Sequence, residues 1–348
     1  MPKIVSTAAS LVLAATLSLA LPAASHAAVV EASSKPICAI ELSGEITSGD
    51  FERLAAAAEA AGLTGEILSG EPKNSENAAL CLDSPGGSYF EGRNMARFVH
   101  EHGIATRILA TGECYSSCAF LFMAGHSLGA EVDGPRRILT IGGQLGFHAP
   151  YLALGPDETF SGAEASAMST MSLQIIADFI EFSSYTSSFD HRPMFSMSLL
   201  QDTLRMGPAE MSIVDTVEEA ARWSIELEGH RESAVLDERQ LVQACINFQA
   251  WSFDRPSEYV TDFTWYLPLK RETHVVYGDE TEFGLVDTGG MEVRNCQVEA
   301  SSTPHSGFLI CSTDDFNGVR LGQCDGGYGF WQPWYFALPP ATPLSDLR

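Results

Sequence analysis

The chain has 348 residues, with 20 Lys and Arg against 45 Asp and Glu, and 45% of its residues are hydrophobic. That length suggests two domains, and the hydrophobic share excludes a disordered chain. A formal charge of −25 with no basic stripe excludes nucleic acid and anionic membrane as main partners, because phosphate binding needs a cationic face.

In chain order, residues 1–27 read as a secretory signal. Met1-Pro2-Lys3 is a short positive start, the run from Ile4 to about Ala20 is apolar, and Ser25 and Ala27 are the small residues a signal peptidase reads. No other segment approaches the ~20 apolar residues needed to span a bilayer. The expected product is an exported protein, periplasmic or secreted, with no membrane association after signal removal. All eight cysteines lie beyond residue 27. In an oxidising compartment they predict three or four disulfides, and the absence of CxxC or HxxxH spacing argues against a metal. No metal and no cofactor are expected.

Ile37 to Leu42 alternates as a strand, and 50–61 is an Ala-rich helix capped by an Asp and closed by Gly62. Residues 66–77 read as a surface loop. Ala78 to Asp83 is a buried strand, 89–102 a helix stopped by Gly103, 104–110 a strand, and Ser116 to Ala124 the start of an apolar helix. After a Gly/Pro/charged insertion at 125–137, strand character resumes from Gly143 to His148. Helices are expected over 162–186, 195–206 and 216–228. Strands alternating with helices up to about 230 predict an α/β class of stacked βα units around a mainly parallel sheet. Beyond Asp237 a short helix over 237–249 leads into a β-rich tail, with strand-like runs at 273–278 and 307–312. The expected organisation is a signal over 1–27, an α/β domain over 28–234 and a cysteine-containing β-rich domain over 235–348.

Three segments carry chemistry. Asp83-Ser84-Pro85-Gly86-Gly87-Ser88 ends a strand in a turn whose amides are unshielded by a Cβ and can hold a developing oxyanion; alone it reads equally as a plain turn. Gly112-Glu113-Cys114-Tyr115-Ser116-Ser117-Cys118-Ala119 puts serines where a strand passes into a helix, as a nucleophile or simply as an N-cap. Gly146-Phe147-His148-Ala149-Pro150 places a histidine at a strand end.

In this order and spacing, DSPGGS, GECYSSCAFLFMAG and GFHAP resemble the Clp protease proteolytic subunit and the wider Clp/crotonase superfamily, over about residues 37–229. The resemblance implies stacked ββα units and a serine peptidase acting on a peptide substrate. It puts the nucleophile on Ser116, the base on His148, and the oxyanion amides on Gly87 and Ser117. The family's third member, an acid, falls near Arg205 or Met206 here. Asp202, Asp190 and Glu210 are nearby substitutes, and Glu210 has the edge because it precedes Thr216-Val217-Glu218-Glu219-Ala220, which resembles the family's closing helix. A Ser/Lys dyad is excluded for Ser116, since no lysine lies between Lys73 and Lys270. The 162–186 helix corresponds to the region the Clp subunit uses for subunit contacts, which implies a homo-oligomer as one arrangement. Cys114 and Cys118 either bridge each other, as a staple or a redox switch, or pair elsewhere; Cys38 and Cys81 are candidates for a second bridge. The rival expectation is a non-catalytic binding or scaffold protein on the same fold.

Overall fold

The computed structural model describes residues 27–64, 79–128, 134–151, 158–186, 193–207, 210–231, 235–276, 279–287, 295–300, 307–312, 315–316, 319–320 and 330–348. The expected signal up to residue 26, the 66–77 loop, Asp190 and Cys324 lie outside these residues. Among the described residues the architecture is mixed α/β, with seven α-helices and several sheets.

The first part runs β1 (Val29–Ala32), β2 (Cys38–Ser43), α1 (Asp50–Ala60), β3 (Ala79–Asp83), α2 (Tyr89–Glu101), β4 (Thr106–Ile108), β5 (Glu113–Tyr115) and α3 (Ser117–Met123). It continues with β6 (His126–Ser127), β7 (Gly134–Pro135), β8 (Arg137–Thr140), β9 (Gln144–Phe147), α4 (Gly162–Ser184), α5 (Met197–Arg205), β10 (Ser212–Ile213), α6 (Val217–Arg222) and β11 (Glu226–Glu228). One six-stranded sheet has the order β1-β2-β3-β4-β8-β11. Only the β1–β2 pair is antiparallel. Parallel neighbours cannot be joined by a tight turn, so the chain leaves the sheet between strands. The excursions between β4 and β8 and between β8 and β11 supply a second sheet, β10-β9-β5.

Local chemistry explains most boundaries. Ser88 caps α2 by accepting from the Glu91 amide, and Ser161, Thr216 and Asp237 each close a reciprocal capping box at the starts of α4, α6 and α7 (Glu238–Ser252). Helix α1 departs from expectation. Its N-cap is Gly49 at φ 90°, and Asp50, the first helical residue, is fully buried, accepting from the Thr47 amide at 2.6 Å and holding Arg53.

Two elements differ from the sequence expectation. The 125–137 insertion contains the β6–β7 pair and runs directly into β8, an interior strand of the main sheet. Its Arg137 is only 1% exposed, because the guanidinium donates to the carbonyls of Met123 at 2.8 Å, Ser224 at 3.0 Å and Met194 at 2.5 Å. The helix expected over 216–228 ends at Arg222. Ser224 takes φ 53° and β11 then pairs parallel with β8. Trp223, Ile225 and Leu227 are all buried, a period-two pattern that favours a strand over the helix formers before it.

Beyond α7 a five-stranded antiparallel sheet has the order β12 (Lys270–Val276), β13 (Asp279–Asp287), β14 (Asn295–Glu299), β15 (Gly307–Ser312) and β18 (Phe330–Pro333), with β16 (Asp315–Phe316) and β17 (Val319–Arg320) as a separate pair. One hydrophobic cluster extends from Ala28 to Leu347 and so includes residues on both sides of the expected boundary at 234/235. The C-terminal stretch returns to the first part: the Val217 amide donates to the Thr342 carbonyl and the Arg231 amide to that of Leu347. Asn247 on α7 donates to the Phe336 and Leu338 carbonyls at 2.7 and 2.8 Å.

Three disulfides form among the described residues: Cys38–Cys81, Cys114–Cys118 and Cys245–Cys296. The first ties β2 to β3 and the last ties α7 to β14. Their sequence separations of 43 and 51 residues correspond to about 4 kcal/mol each of unfolded-state entropy, while the separation of 4 in Cys114–Cys118 corresponds to only about 2 kcal/mol. No described helix is long and apolar enough to cross a membrane.

Candidate active site

The end of β3 and the start of β5 meet edge to edge. The Ser84 amide donates to the Glu113 carbonyl at 2.6 Å, and the Tyr115 amide returns to the Ser84 carbonyl at 3.1 Å. This brings the Pro85-Gly86-Gly87 turn against the strand that delivers Ser116. Gly86, at φ 94°, is packed so closely that a Cβ would lie 2.5 Å from the Tyr115 carbonyl and 2.7 Å from Ser116 Cβ. Only glycine allows this approach.

Ser116 is the hinge between β5 and α3, at φ 57° and ψ −122°. For a residue with a Cβ that conformation costs about 1–3 kcal/mol, and such strain clusters at functional sites. It is held by a hydrogen bond from the Ser116 amide to the Gly146 carbonyl on β9, at 3.1 Å. Ser116 occupies the N-cap position, yet its side chain makes no capping bond. The hydroxyl is therefore left for the cavity that it lines.

That cavity has a volume of about 790 Å³ and is lined by Gly87, Ser116, Ser117 and His148. Its walls are mainly aromatic and aliphatic, with Phe120, Phe179 and Phe195 packed ring against ring. Glu45 lines it beside the glycine turn. In the bridge between Ile46 and Gly87, the Ile46 amide donates to the Gly86 carbonyl and the Ser88 amide donates to Ile46. The Gly87 amide takes no part in that bridge. As the first residue of α3, Ser117 has an amide without an intrahelical partner. Among the described residues neither amide has a backbone partner outside the helix, so both can act on a ligand.

His148 follows the last residue of β9. Its Nδ1 lies 2.8 Å from the Ala149 carbonyl. A carbonyl only accepts, so this contact puts the proton on Nδ1 and the lone pair on Nε2, the tautomer a general base requires. Its ring also packs at 5.4 Å from that of Tyr151. No hydrogen bond joins Ser116 Oγ to His148 among the described residues; such pairs are often long before substrate binds and tighten in the complex.

Among the described residues, the bonded partners of the two acids described, Glu210 and Asp202, are groups other than His148. Glu210 is exposed, and its carboxylate closes a local turn by accepting from the Gly207 amide at 3.1 Å. Asp202 sits 3.6 Å from Arg205 on α5. Thus Ser116, Ser117, Gly87 and His148 line one cavity, and among the described residues no hydrogen bond joins Glu210 or Asp202 to the imidazole. The partner on Nδ1 is a backbone carbonyl, which no sequence pattern announces.

Other site residues do carry a signal. Gly92 is an isolated glycine inside the amphipathic pattern of α2, a mark of close approach; a Cβ there would lie 2.8 Å from Ser117 Cβ. Beside Tyr89, which lines the cavity, Asp178 is 1% exposed, binds Arg93 at 3.0 Å and takes a long contact of 3.4 Å from the Tyr89 hydroxyl, joining α4 to α2. Burial, and then the Asp178 charge, push the Tyr89 phenol up, so it stays neutral. The buried hydroxyls of Ser117 and Thr203 also line this cavity and have no partner among the described residues. Among the described residues no group of His, Cys, Asp and Glu could hold a metal ion.

The chemistry open to this arrangement is acyl transfer: a hydroxyl on a strained turn, with two amides and the imidazole Nε2 that have no partner among the described residues. No protein-family profile matches the chain, and no curated protein matches it.

Proposed function

We propose that the chain is an exported serine hydrolase, acting on peptides, with a Clp-like core. The observation that carries this reading is Ser116 itself: at φ 57° it sits on a strand-to-helix elbow as an N-cap whose hydroxyl caps nothing. A structural N-cap would bond the helix amides and would need no positive φ.

In the proposed reaction Ser116 Oγ attacks the substrate carbonyl while His148 Nε2 takes its proton. The Gly87 and Ser117 amides receive the charge that develops on the carbonyl oxygen, an effect worth about 3–4 kcal/mol per donor in related sites. The tetrahedral adduct then collapses, and the imidazolium gives its proton to the departing amine. Water, deprotonated by His148, releases the acid and restores Ser116. The Ala149 carbonyl holds the imidazole tautomer but brings no charge to the imidazolium, so turnover should be slower than with a carboxylate in that place. The aromatic walls favour an apolar side chain next to the scissile carbonyl. Export is supported by three disulfides. Self-association is supported by Leu173 and Ile180, 65% and 57% exposed on α4.

The test is hydrolysis of a panel of unfolded-peptide substrates by the wild type, Ser116→Ala and His148→Ala. Cleavage by the wild type and its loss in both variants support the reading; cleavage that survives Ser116→Ala refutes it. A second reading, a binding protein on the same fold, draws on the absence, among the described residues, of a Ser116–His148 hydrogen bond and of a carboxylate bonded to His148. It predicts no cleavage by any of the three, with peptide binding retained in Ser116→Ala.

A further inference from the structure

The Cys114–Cys118 disulfide spans the candidate nucleophile symmetrically, two residues before Ser116 and two after it. Cys114 lies on β5 and Cys118 in the first turn of α3, and both are fully buried. Their Cα atoms are 5.2 Å apart, whereas an extended strand would carry residues four apart to about 13 Å. The bridge is therefore compatible only with a chain turned sharply between them. The one residue in that turn with a left-handed φ is Ser116. Of the three bridges this one closes by far the shortest loop, so it constrains the unfolded chain least and contributes least to global stability. What it does constrain is the elbow.

The remaining supports of the elbow are weaker. Two backbone hydrogen bonds hold Ser116, its amide donating to the Gly146 carbonyl and its carbonyl accepting from the Phe120 amide, and the glycine turn presses on it from one side without holding it. Relaxation of Ser116 to a negative φ would relieve its strain and swing both its hydroxyl and the Ser117 amide away from the cavity. We propose that Cys114 and Cys118 act as positioning residues, their disulfide preventing this relaxation and keeping nucleophile and oxyanion amide in register. The proposal rests on the hydrolase reading for its catalytic consequence, but not for its conformational one.

The test compares two double variants with the wild type, Cys114→Ala/Cys118→Ala and Cys245→Ala/Cys296→Ala. Three quantities are read: Tm, the rate of labelling by a fluorophosphonate per folded molecule, and amide hydrogen exchange over residues 113–120. The 114/118 variant is expected to keep a cooperative melt with the smaller loss of Tm. Its labelling should slow at least ~30-fold, with kcat for a peptide substrate falling and KM unchanged, and exchange over 113–120 should rise at least ~10-fold while α7 is unaffected. The 245/296 variant is expected to lose more Tm and to label at the wild-type rate. Wild-type exchange over 113–120 in the 114/118 variant overturns the proposal, as does an equal fall of labelling in both variants. If the wild type itself is not labelled, the hydrolase reading fails, and the exchange data still decide whether the disulfide holds the elbow.

Discussion

Replacing Gly86 by Ala tests whether the contact between the glycine turn and the elbow organises the site. The added Cβ would meet the Tyr115 carbonyl at 2.5 Å, Ser116 Cβ at 2.7 Å and the Ser117 amide nitrogen at 3.2 Å. All three atoms belong to the elbow and two are backbone, so no side-chain rotation relieves the overlap. The Tyr115 carbonyl would have to retreat by roughly 1 Å to reach ordinary contact, and the φ of 94° at residue 86 adds about 1–2 kcal/mol of strain for any side chain. A misplacement of about 1 Å at a reacting centre costs on the order of 100-fold in rate. The expected outcome is a loss of about that size in fluorophosphonate labelling, with the melt still cooperative. Gly103→Ala is the control. It also has a positive φ, 61°, but its Cβ would meet the Leu128 side chain, away from the cavity. It should lower Tm while labelling per folded molecule stays within about twofold of wild type. Wild-type labelling by Gly86→Ala, or equal losses in both variants, would refute the reasoning.

Three further outcomes are expected. Arg137→Met leaves the Met123, Ser224 and Met194 carbonyls without their buried donor, at about 1–3 kcal/mol each. Urea unfolding should show at least ~3 kcal/mol of lost stability, and a loss below ~1 kcal/mol contradicts the bonding described. The Tyr335 and Tyr89 phenols are both pushed up, chiefly by burial. The folded state therefore holds them neutral: that stability is complete below the unfolded phenol's pKa of about 10 and is lost as pH rises toward the higher folded values. Tm should fall as pH rises from about 9.5 to 11.5, less steeply in Tyr335→Phe; equal slopes in both proteins count against the assignment. Glu210→Gln should change labelling by no more than about twofold, since its carboxylate serves the Gly207 turn. A drop near 10⁴-fold, the size seen when an orienting acid is removed, would show that Glu210 reaches His148 during the reaction.

Much of the fold was legible in the sequence because its signals are local. Alternation over 37–42 and the Gly-stopped stretch 89–102 give β2 and α2 to within a residue. Where the sequence misleads, a tertiary partner has overridden local character. Arg137 reads as a loop charge and becomes an interior strand residue because carbonyls from three segments surround its guanidinium. Residues 223–228 read as the end of a helix, and they leave it because β8 offers a parallel edge. For the site, the resemblance carried by three ordered motifs pointed to Gly87, Ser116, Ser117 and His148, which line one cavity. It could not supply the partner of His148 Nδ1, because that partner is a main-chain carbonyl and every residue has one. Nor could it show the pressure of Gly86 on Ser116, which depends on β3 and β5 meeting at Ser84 and Cys114.

The most direct measurement is the mass-spectrometric mapping of a fluorophosphonate adduct on the folded, disulfide-bonded protein. The account predicts a single adduct, on Ser116, that disappears in Ser116→Ala and forms far more slowly in His148→Ala. No adduct on the wild type, or an adduct on Ser117 or on Ser172, which also lines the cavity, with Ser116 unmodified, would contradict it.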